Sequence, residues 1–286
     1  MQRYRLIRLF FPAVVFILLL TQCLVVDNTY SGLPPGPWRA VLKLENNPVT
    51  PNPKGAPLPE KLNMTFDEVT EGELPFNFEV KYDSKDRFHI EIKNADELIR
   101  IDSIIMGRDR RTAKDTVIIR FPSGDTYIRA IFEENLMEGD WIDPAQPNFR
   151  IHFVAWHGDN YRFTNLRKTP TEDVSGRWEI SLGLDTDAPY KAVAELTQQG
   201  NYLTGSLITA SGEYQHLEGT IQADKLYLSR FDGVQALLLE AKLKPEGLIG
   251  SMRLGNGLRT IWSGRRNADF QLPEKTNQQP EAKISQ

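Results

Sequence analysis

The chain has 286 residues, of which 40% are hydrophobic and 25% charged, with a formal net charge of −4. This length and composition fit one large or two ordinary globular domains. The acidic balance argues against nucleic acid as a partner, because nucleic-acid binding usually needs a basic domain. A single cysteine, Cys23, excludes an internal disulfide, a Cys-x-x-Cys redox pair and a thiolate zinc site.

Residues 1–26 carry the features of an export signal. Three arginines without an acidic residue precede an apolar run from Leu9 to Leu20. The following Leu20-Thr21-Gln22-Cys23 resembles a bacterial lipobox, in which the cysteine is lipidated and becomes the new N-terminus. Gln22 departs from the motif, since that position normally holds Gly, Ala or Ser.

Two alternatives to lipidation at Cys23 stay open. An uncleaved signal-anchor helix is one, because the stretch from Leu6 to Val26 is about long enough to cross a bilayer. A cleaved, soluble form is the other. The basic flank precedes the apolar run, so residues 1–8 are expected to stay in the cytoplasm. We therefore expect residues 27–286 on the periplasmic or extracellular side of a bacterial cell envelope, with the membrane contacted through the N-terminus.

Residues 27–37 are predicted to form a spacer, and residues 38–163 a first β module. Apolar and polar residues alternate with the period of two that is typical of half-buried strands. Residues 45–63 hold five prolines and indicate a long loop. The basic run at 108–111 is interpreted as a solvated loop. The predicted strands are Trp38–Leu44, Phe76–Lys81, Phe88–Lys93, Leu98–Ile101, Val117–Phe121, Thr126–Phe132 and Phe149–Trp156.

Residues 164–175 indicate a charged linker, and residues 176–266 a second β module. Evenly spaced short strands with Gly-bearing turns are typical of an up-and-down barrel, here a lipocalin- or avidin-like meander. Residues 267–286 are predicted to be a disordered tail. The predicted strands are Trp178–Leu184, Lys191–Gln198, Leu203–Thr209, Tyr214–Ile221, Lys225–Arg230, Ala236–Leu243, Leu248–Leu254 and Leu258–Ser263.

A short pattern repeats inside the second module. The segments at 203–207, 217–221 and 248–252 share the form Leu-x-Gly-(Ser/Thr)-apolar, and a weaker version lies at 137–141. Glycine inside a strand usually marks a sharp bend or a close backbone approach, as in strongly coiled barrel strands. Each module also begins at a tryptophan, in Gly36-Pro37-Trp38 and Gly176-Arg177-Trp178. The sequence therefore predicts two related antiparallel β modules.

Several strings of the chain, among them GRWEISL, LYLSRFDGVQALLLEAKL, PWRAVLKL and LPFNFEV, support a family resemblance over roughly residues 36–273. They resemble the β region that precedes the thioredoxin domain in exported TlpA-like thiol-disulfide oxidoreductases. The resemblance implies an accessory β region with a thioredoxin-like partner. The chain departs from that family because it ends where the thioredoxin domain would begin and has no Cys-x-x-Cys motif.

The remaining motifs favour structural interpretations. The Asp185-Thr186-Asp187 segment is interpreted as a hairpin loop, and Phe231-Asp232-Gly233 as a turn with glycine at positive φ. His89 and His216 look like solvent-facing strand residues. His152 and His157 are expected on opposite faces, which is unsuited to a shared metal ion. No complete catalytic motif, cofactor site or metal site is predicted.

Five tryptophans are the candidate core or pocket aromatics. Trp38 and Trp178 are expected to plug the ends of barrel-like cores. Trp141, Trp156 and Trp262 could line a pocket for an apolar or sugar ligand.

Three functional hypotheses follow. The first is a non-catalytic, membrane-tethered binding or assembly module. The second is an accessory part of a thiol-disulfide oxidoreductase system. The third is a lipocalin-like carrier, which requires an enclosed apolar cavity for a small apolar ligand.

Overall fold

The computed structural model describes residues 30–44 and 70–272. The predicted all-β class is confirmed, since the described residues form seventeen strands and no α-helix. The first nine strands are β1 (Gly36–Lys43), β2 (Glu73–Ser84), β3 (Arg87–Asn94), β4 (Glu97–Ile101), β5 (Ile104–Arg108), β6 (Asp115–Arg120), β7 (Tyr127–Glu133), β8 (Leu136–Ile142) and β9 (Arg150–His157). The other eight are β10 (Gly176–Leu182), β11 (Tyr190–Gln199), β12 (Tyr202–Thr209), β13 (Gly212–Gln222), β14 (Lys225–Phe231), β15 (Ala236–Lys244), β16 (Gly247–Leu254) and β17 (Arg259–Arg266).

Strands β1–β9 form one antiparallel sheet in the order β4-β3-β2-β1-β9-β8-β7-β6-β5. This is the order of an up-and-down barrel that is open between β4 and β5. The chain turns a corner there at Asp102 and Ser103, and Ser103 O accepts a hydrogen bond from Arg120 N at 3.0 Å. The sheet curls around a core that includes Trp38, Phe76 and Phe153, each at most 1% exposed.

Strands β5 and β8 were not among the strands predicted from the sequence. β5 is a short edge strand whose inward side chains, Ile104 and Met106, are only partly buried. β8 contains Gly139 at its centre, which interrupts the apolar alternation. A Cβ at Gly139 would lie 2.0 Å from the carbonyl oxygen of Arg129 on β7, so the strands approach too closely for any other residue.

Strands β10–β17 form a closed barrel, as predicted, and all eight predicted strands are present. β10 and β17 close it, with Trp178 opposite Arg266. The interior is filled largely by leucines, and the repeated glycines have the expected role. At Gly219 a Cβ would lie 1.8 Å from the carbonyl oxygen of Tyr227, a contact that only glycine permits.

The start of each module has the same local geometry. Gly36 and Gly176 have φ values of 108° and 114°. Two residues later, the indole nitrogens of Trp38 and Trp178 each donate to the carbonyl four residues upstream, at 3.1 and 2.9 Å. A basic or imidazole side chain from the last strand covers each ring, His157 on Trp38 and Arg266 on Trp178. This correspondence supports the interpretation of two related modules.

The outer wall of the barrel completes the core of the open sheet. Inward positions of β14 hold Leu226 and Leu228, so the alternate residues face outward. Phe231 is one of these outward residues. The centroid of its ring lies 4.5 Å from that of Phe76 and 5.1 Å from that of Trp141. Because the core of the first module contains residues of the second, the two modules form one packed body.

Residues in the segments that flank the modules pack against them. In the predicted spacer, Leu33 is fully buried, and the Tyr82 hydroxyl donates to its carbonyl. In the predicted linker, Val174 is fully buried because it packs into the barrel core. In the predicted tail, Asn267 donates to Glu179 at 2.9 Å.

Other predictions fall outside the described residues. These are the export signal with Cys23, the proline-rich loop at 45–63 and residues 273–286. Within the described part of the chain, no helix has the length and hydrophobicity needed to cross a membrane.

Candidate functional site: a polar cleft between the open sheet and the barrel

An open cleft of about 760 Å³ lies where hairpins at one end of the barrel meet the open sheet. Five parts of the chain line it: the start of β4, the β6–β7 turn, β13, the end of β14 and the β14–β15 turn. We call this surface the junction cleft. Its lining residues are Glu97, Ser123, Gly124, Glu213, Gln215, His216, Arg230, Asp232, Val234 and Gln235.

Arg230 is the central cation of the junction cleft. It follows Leu226 and Leu228 on the inward face of β14, where a charged side chain must reach past the end of the barrel to find partners. Its Nη2 donates to both carboxylate oxygens of Glu97, at 3.3 and 3.1 Å, and its Nη1 donates to Asp232 at 2.5 Å. The arginine therefore joins the barrel to the first module through charge-assisted hydrogen bonds.

The β14–β15 turn is held rigidly. Asp232 Oδ1 accepts hydrogen bonds from Val234 N and Gln235 N at 2.9 and 2.6 Å. Gly233 has a φ of 94°, which confirms the predicted turn with glycine at positive φ. Its carbonyl accepts from the Trp141 indole at 3.0 Å, so the first module fixes the turn that forms this wall.

A β-bulge orients His216 toward the first module. Between Gly205 and Leu207 of β12, strand β13 contains one extra residue, and His216 has a φ of 55°. Bulges re-aim side chains in this way. The His216 ring nitrogen Nδ1 lies 2.7 Å from Asp96 Oδ1. That hydrogen bond lowers the pKa of the Asp96 carboxyl below its ordinary value, so Asp96 stays ionised.

Beneath the junction cleft, Arg162 is the buried hub of the contact between the modules. Its guanidinium donates to Ser229 Oγ at 2.8 Å, to Asn94 Oδ1 at 3.1 Å and to Glu218 Oε2 at 3.2 Å. It also donates to the carbonyls of Ser229 and Lys93, both at 3.0 Å. Burial lowers the pKa of Arg162, and the Glu218 carboxylate opposes that effect. The hub fixes the relative positions of the two modules that line the cleft.

The charge of the cleft lining favours cationic ligands. Three lining residues are acidic, Glu97, Glu213 and Asp232, whereas Arg230 is the one lining residue that is always charged positively. Subtraction gives a net charge of −2 with His216 neutral. Two of the carboxylates already pair with Arg230, which leaves the exposed Glu213 as an available anion. The cleft is thus suited to hydrogen bonding and ion pairing.

The predicted tryptophans do not gather into one site. Trp38, Trp141, Trp178 and Trp262 are each at most 4% exposed and belong to the cores of the two modules. Trp156 is 37% exposed on the outer face of β9, where the Arg39 guanidinium lies 5.8 Å from its ring centroid. Of the five, Trp262 lines the interior of the closed barrel.

That interior leaves a cavity of only about 10 Å³, which matches roughly one water molecule. Its lining is almost wholly apolar, with Leu207, Leu217 and Leu239 among the residues that fill it. A carrier needs a cavity of about 300 Å³ or more for a small ligand. The barrel interior therefore lacks the enclosed space that the carrier hypothesis requires.

The four histidines differ in how well their surroundings were predicted. His152 and His157 do lie on opposite faces, since His152 approaches Glu138 outside the sheet and His157 packs on Trp38 inside it. The expectation that His89 faces solvent is wrong. It lies on the outer face, as the alternation predicts, but is only 4% exposed because neighbouring charged side chains surround it.

The junction cleft itself was missed by sequence reasoning. One available signal was Arg230, a charged residue at an inward position of a strand whose other inward residues are leucines. Residues such as Glu97 and Glu213 carry no comparable signal. Their meeting depends on how the modules pack.

The fold and this surface define an all-β protein in which an open nine-stranded sheet is joined to a closed eight-stranded barrel. Comparison with protein-family models, curated proteins and solved structures finds no match to the chain.

Proposed function

We propose that the protein is a non-catalytic binding module, tethered to the membrane outside the cytoplasm, that holds a basic segment of a partner protein in the junction cleft. The cleft carries the proposal, because it is large, open, net acidic and built on a rigid floor. Export and tethering rest on the N-terminal sequence, in which arginines, an apolar run and Cys23 follow one another.

The rigidity of the floor is the physical reason for preferring this surface. A preorganised site loses little conformational entropy on binding. The β14–β15 turn is fixed by Asp232 and Gly233, and Arg162 fixes the modules beneath it. The acidic lining attracts cations and would also increase the rate of encounter with a basic partner.

A peptide-binding measurement tests the proposal. Fluorescence polarisation would compare short labelled peptides that differ only in the sign of their charged residues, using the full-length protein in detergent micelles. We expect the basic peptide to bind, the acidic peptide to bind at least tenfold more weakly, and the affinity to fall as salt screens the charges.

A matched pair of variants assigns the binding to the cleft. Glu213→Gln removes the exposed carboxylate of the cleft, whereas Glu246→Gln removes one from the β15–β16 turn at the opposite end of the barrel. We expect Glu213→Gln to weaken the basic peptide by about tenfold, the cost of one charge-assisted hydrogen bond, and Glu246→Gln to leave it unchanged. Equal binding of both peptides, or redox or hydrolase turnover by the purified protein, would reject the proposal.

A further inference from the structure

A second cluster of polar residues lies on the outer face of β2, β3 and β4, away from the junction cleft. His89 of β3 is at its centre. Asp83 approaches from β2 and Asp102 from the end of β4, and their ligand atoms with that of His89 all lie within 4.8 Å of one another. Two carboxylates and an imidazole are a donor set that divalent transition metals accept.

Local backbone geometry brings the three side chains together. Strand β2 contains one extra residue between Tyr82 and Ser84, which makes Asp83 the bulged residue. A bulge re-aims its side chain, here toward His89. On the other side, Ile101 pairs with Ile90, so the next residue of the chain, Asp102, comes to lie beside His89. The cluster is therefore a product of strand register.

The imidazole of His89 supplies an independent sign of a ligand. Its Nδ1 is buried and makes no hydrogen bond with any described residue. Asp83 Oδ1 is 3.3 Å away, but the two atoms are not aligned for a hydrogen bond. Two ligand atoms bound to one zinc ion at about 2.1 Å each lie roughly 3.0–3.5 Å apart and point at the ion, not at each other. The 3.3 Å separation of His89 Nδ1 and Asp83 Oδ1 falls in that range.

The other ring nitrogen has the partner that a metal-binding histidine needs. His89 Nε2 lies 3.3 Å from Glu91 Oε1. A carboxylate can only accept, so in this pairing Nε2 carries the proton and Nδ1 keeps its lone pair. A carboxylate behind the imidazole is the usual second partner of a metal-bound histidine, because it fixes the tautomer and raises the basicity of the ligand.

Arg100 is the cation that the two aspartates hold in this structure. Its Nη2 lies 2.8 Å from Asp102 Oδ1 and 3.2 Å from Asp83 Oδ2, and its Nη1 lies 3.1 Å from His89 Nε2. The Arg100 side chain is 48% exposed, so it can turn into solvent without leaving a cavity. While Arg100 donates to Nε2, the imidazole proton sits on Nδ1, where it finds no acceptor.

We propose that Asp83, His89 and Asp102 bind a divalent transition-metal ion, for which zinc is the best match, and that Arg100 competes with this ion. Asp102 is 65% exposed, so water or a partner side chain completes the coordination. Binding moves Arg100 away, so the imidazole proton shifts from Nδ1 to Nε2, where it donates to Glu91, and the Nδ1 lone pair binds the ion. The bound ion also ties the edge strand β4 to β2 and β3.

Isothermal titration calorimetry with ZnCl2 tests this proposal on the full-length protein in detergent micelles. The Cys23→Ala background is used throughout, because a free thiol binds zinc. We expect one zinc ion per chain. His89→Ala and Asp83→Asn should each weaken binding at least twentyfold. His152→Ala, which removes another outer-face histidine beside a carboxylate, should leave binding unchanged.

Arg100→Gln is the decisive variant. If Arg100 competes with the ion, removing the arginine should tighten zinc binding about fivefold or more. If Arg100 merely supports the site structurally, removing it should weaken zinc binding. Asp102→Asn is the ligand variant to use if His89→Ala misfolds, because Asp102 is exposed and its replacement leaves the core intact. The proposal is overturned if zinc does not bind, if binding survives His89→Ala in folded protein, or if Arg100→Gln weakens it.

Discussion

Replacing Arg162 by methionine should uncouple the two modules. Methionine keeps much of the volume of the arginine stem but loses all five hydrogen bonds that the guanidinium makes to the two modules. It also leaves the Glu218 carboxylate, with a side chain only 10% exposed, without its cation. Glu218 keeps the hydrogen bond from Ala95 N at 2.7 Å and one with the Tyr202 side chain.

The size of the effect follows from the burial of the pair. The Arg162 side chain is only 6% exposed, so water cannot replace its partners. Removing one member of a buried ion pair costs about 3–5 kcal/mol. For a folded part of this size, a loss of that order lowers the melting temperature by roughly 6–20 °C. Arg177→Met is the matched control, because Arg177 pairs with Glu195 at the surface, where an ion pair contributes about 1 kcal/mol or less.

Differential scanning calorimetry of the full-length protein is the assay. We expect a single transition for the original protein and for Arg177→Met, and two separated transitions for Arg162→Met. Adding Glu218→Gln to Arg162→Met should restore part of the loss, since it removes the uncompensated buried charge. A loss below about 1 kcal/mol for Arg162→Met would refute the reasoning, as would a single transition that is merely shifted.

Three further predictions concern other parts of the chain. Gly233→Ala should lower the free energy of unfolding, measured by urea denaturation, by several kcal/mol, because its Cβ would lie 2.2 Å from the Phe121 ring. Gly158 has a similar φ of 92° but open space around it, so Gly158→Ala should cost only about 1 kcal/mol. Equal costs would contradict the packing argument. Burial raises the pKa of Glu240 from an ordinary 4.5 to about 7, so its contribution to stability is present below pH 4.5 and is lost as the pH rises toward 7. Unfolding free energies measured over a pH series should show this loss, about 3 kcal/mol. Glu240→Gln should reduce the dependence of the unfolding free energy on pH, and an unchanged dependence would exclude Glu240 as its source. Mass spectrometry of the mature N-terminus should find a lipid on Cys23 that Cys23→Ala lacks, whereas an intact Met1 without lipid would favour the signal anchor.

The barrel could be predicted strand by strand because two separate patterns in its sequence mark the strands. Turns with glycine, such as that around Gly200, mark where strands end, and the Leu-x-Gly pattern around Gly219 marks which face is inside. The open sheet was predicted less completely. Its β8 has Gly139 in the middle of the inward face, and its β5 is a short edge strand, so neither shows a sustained alternation.

The site residues were harder to predict than the strands because they depend on contacts between distant segments. The alternation placed His89 on the outer face, but burial there comes from Asp83, Glu91 and Arg100, which the pattern treats only as polar. Glu97 and Arg230 are 133 residues apart in sequence and meet only because the modules pack together. A period-two pattern describes one strand at a time and contains no information about such meetings.

The shared core has a consequence for the order in which the protein can fold. The open sheet is synthesised first, yet its core includes Phe231 of the barrel. Phe231 packs against Phe121 of the first module, and the ribosome adds it more than a hundred residues later. Until that part of the chain arrives, the core of the sheet lacks part of its apolar cover and is prone to aggregate. The barrel, in contrast, contains all of its own strands and can close as soon as β17 emerges. We therefore expect the C-terminal half to act as the template on which the N-terminal half matures, which reverses the order in which the chain is made.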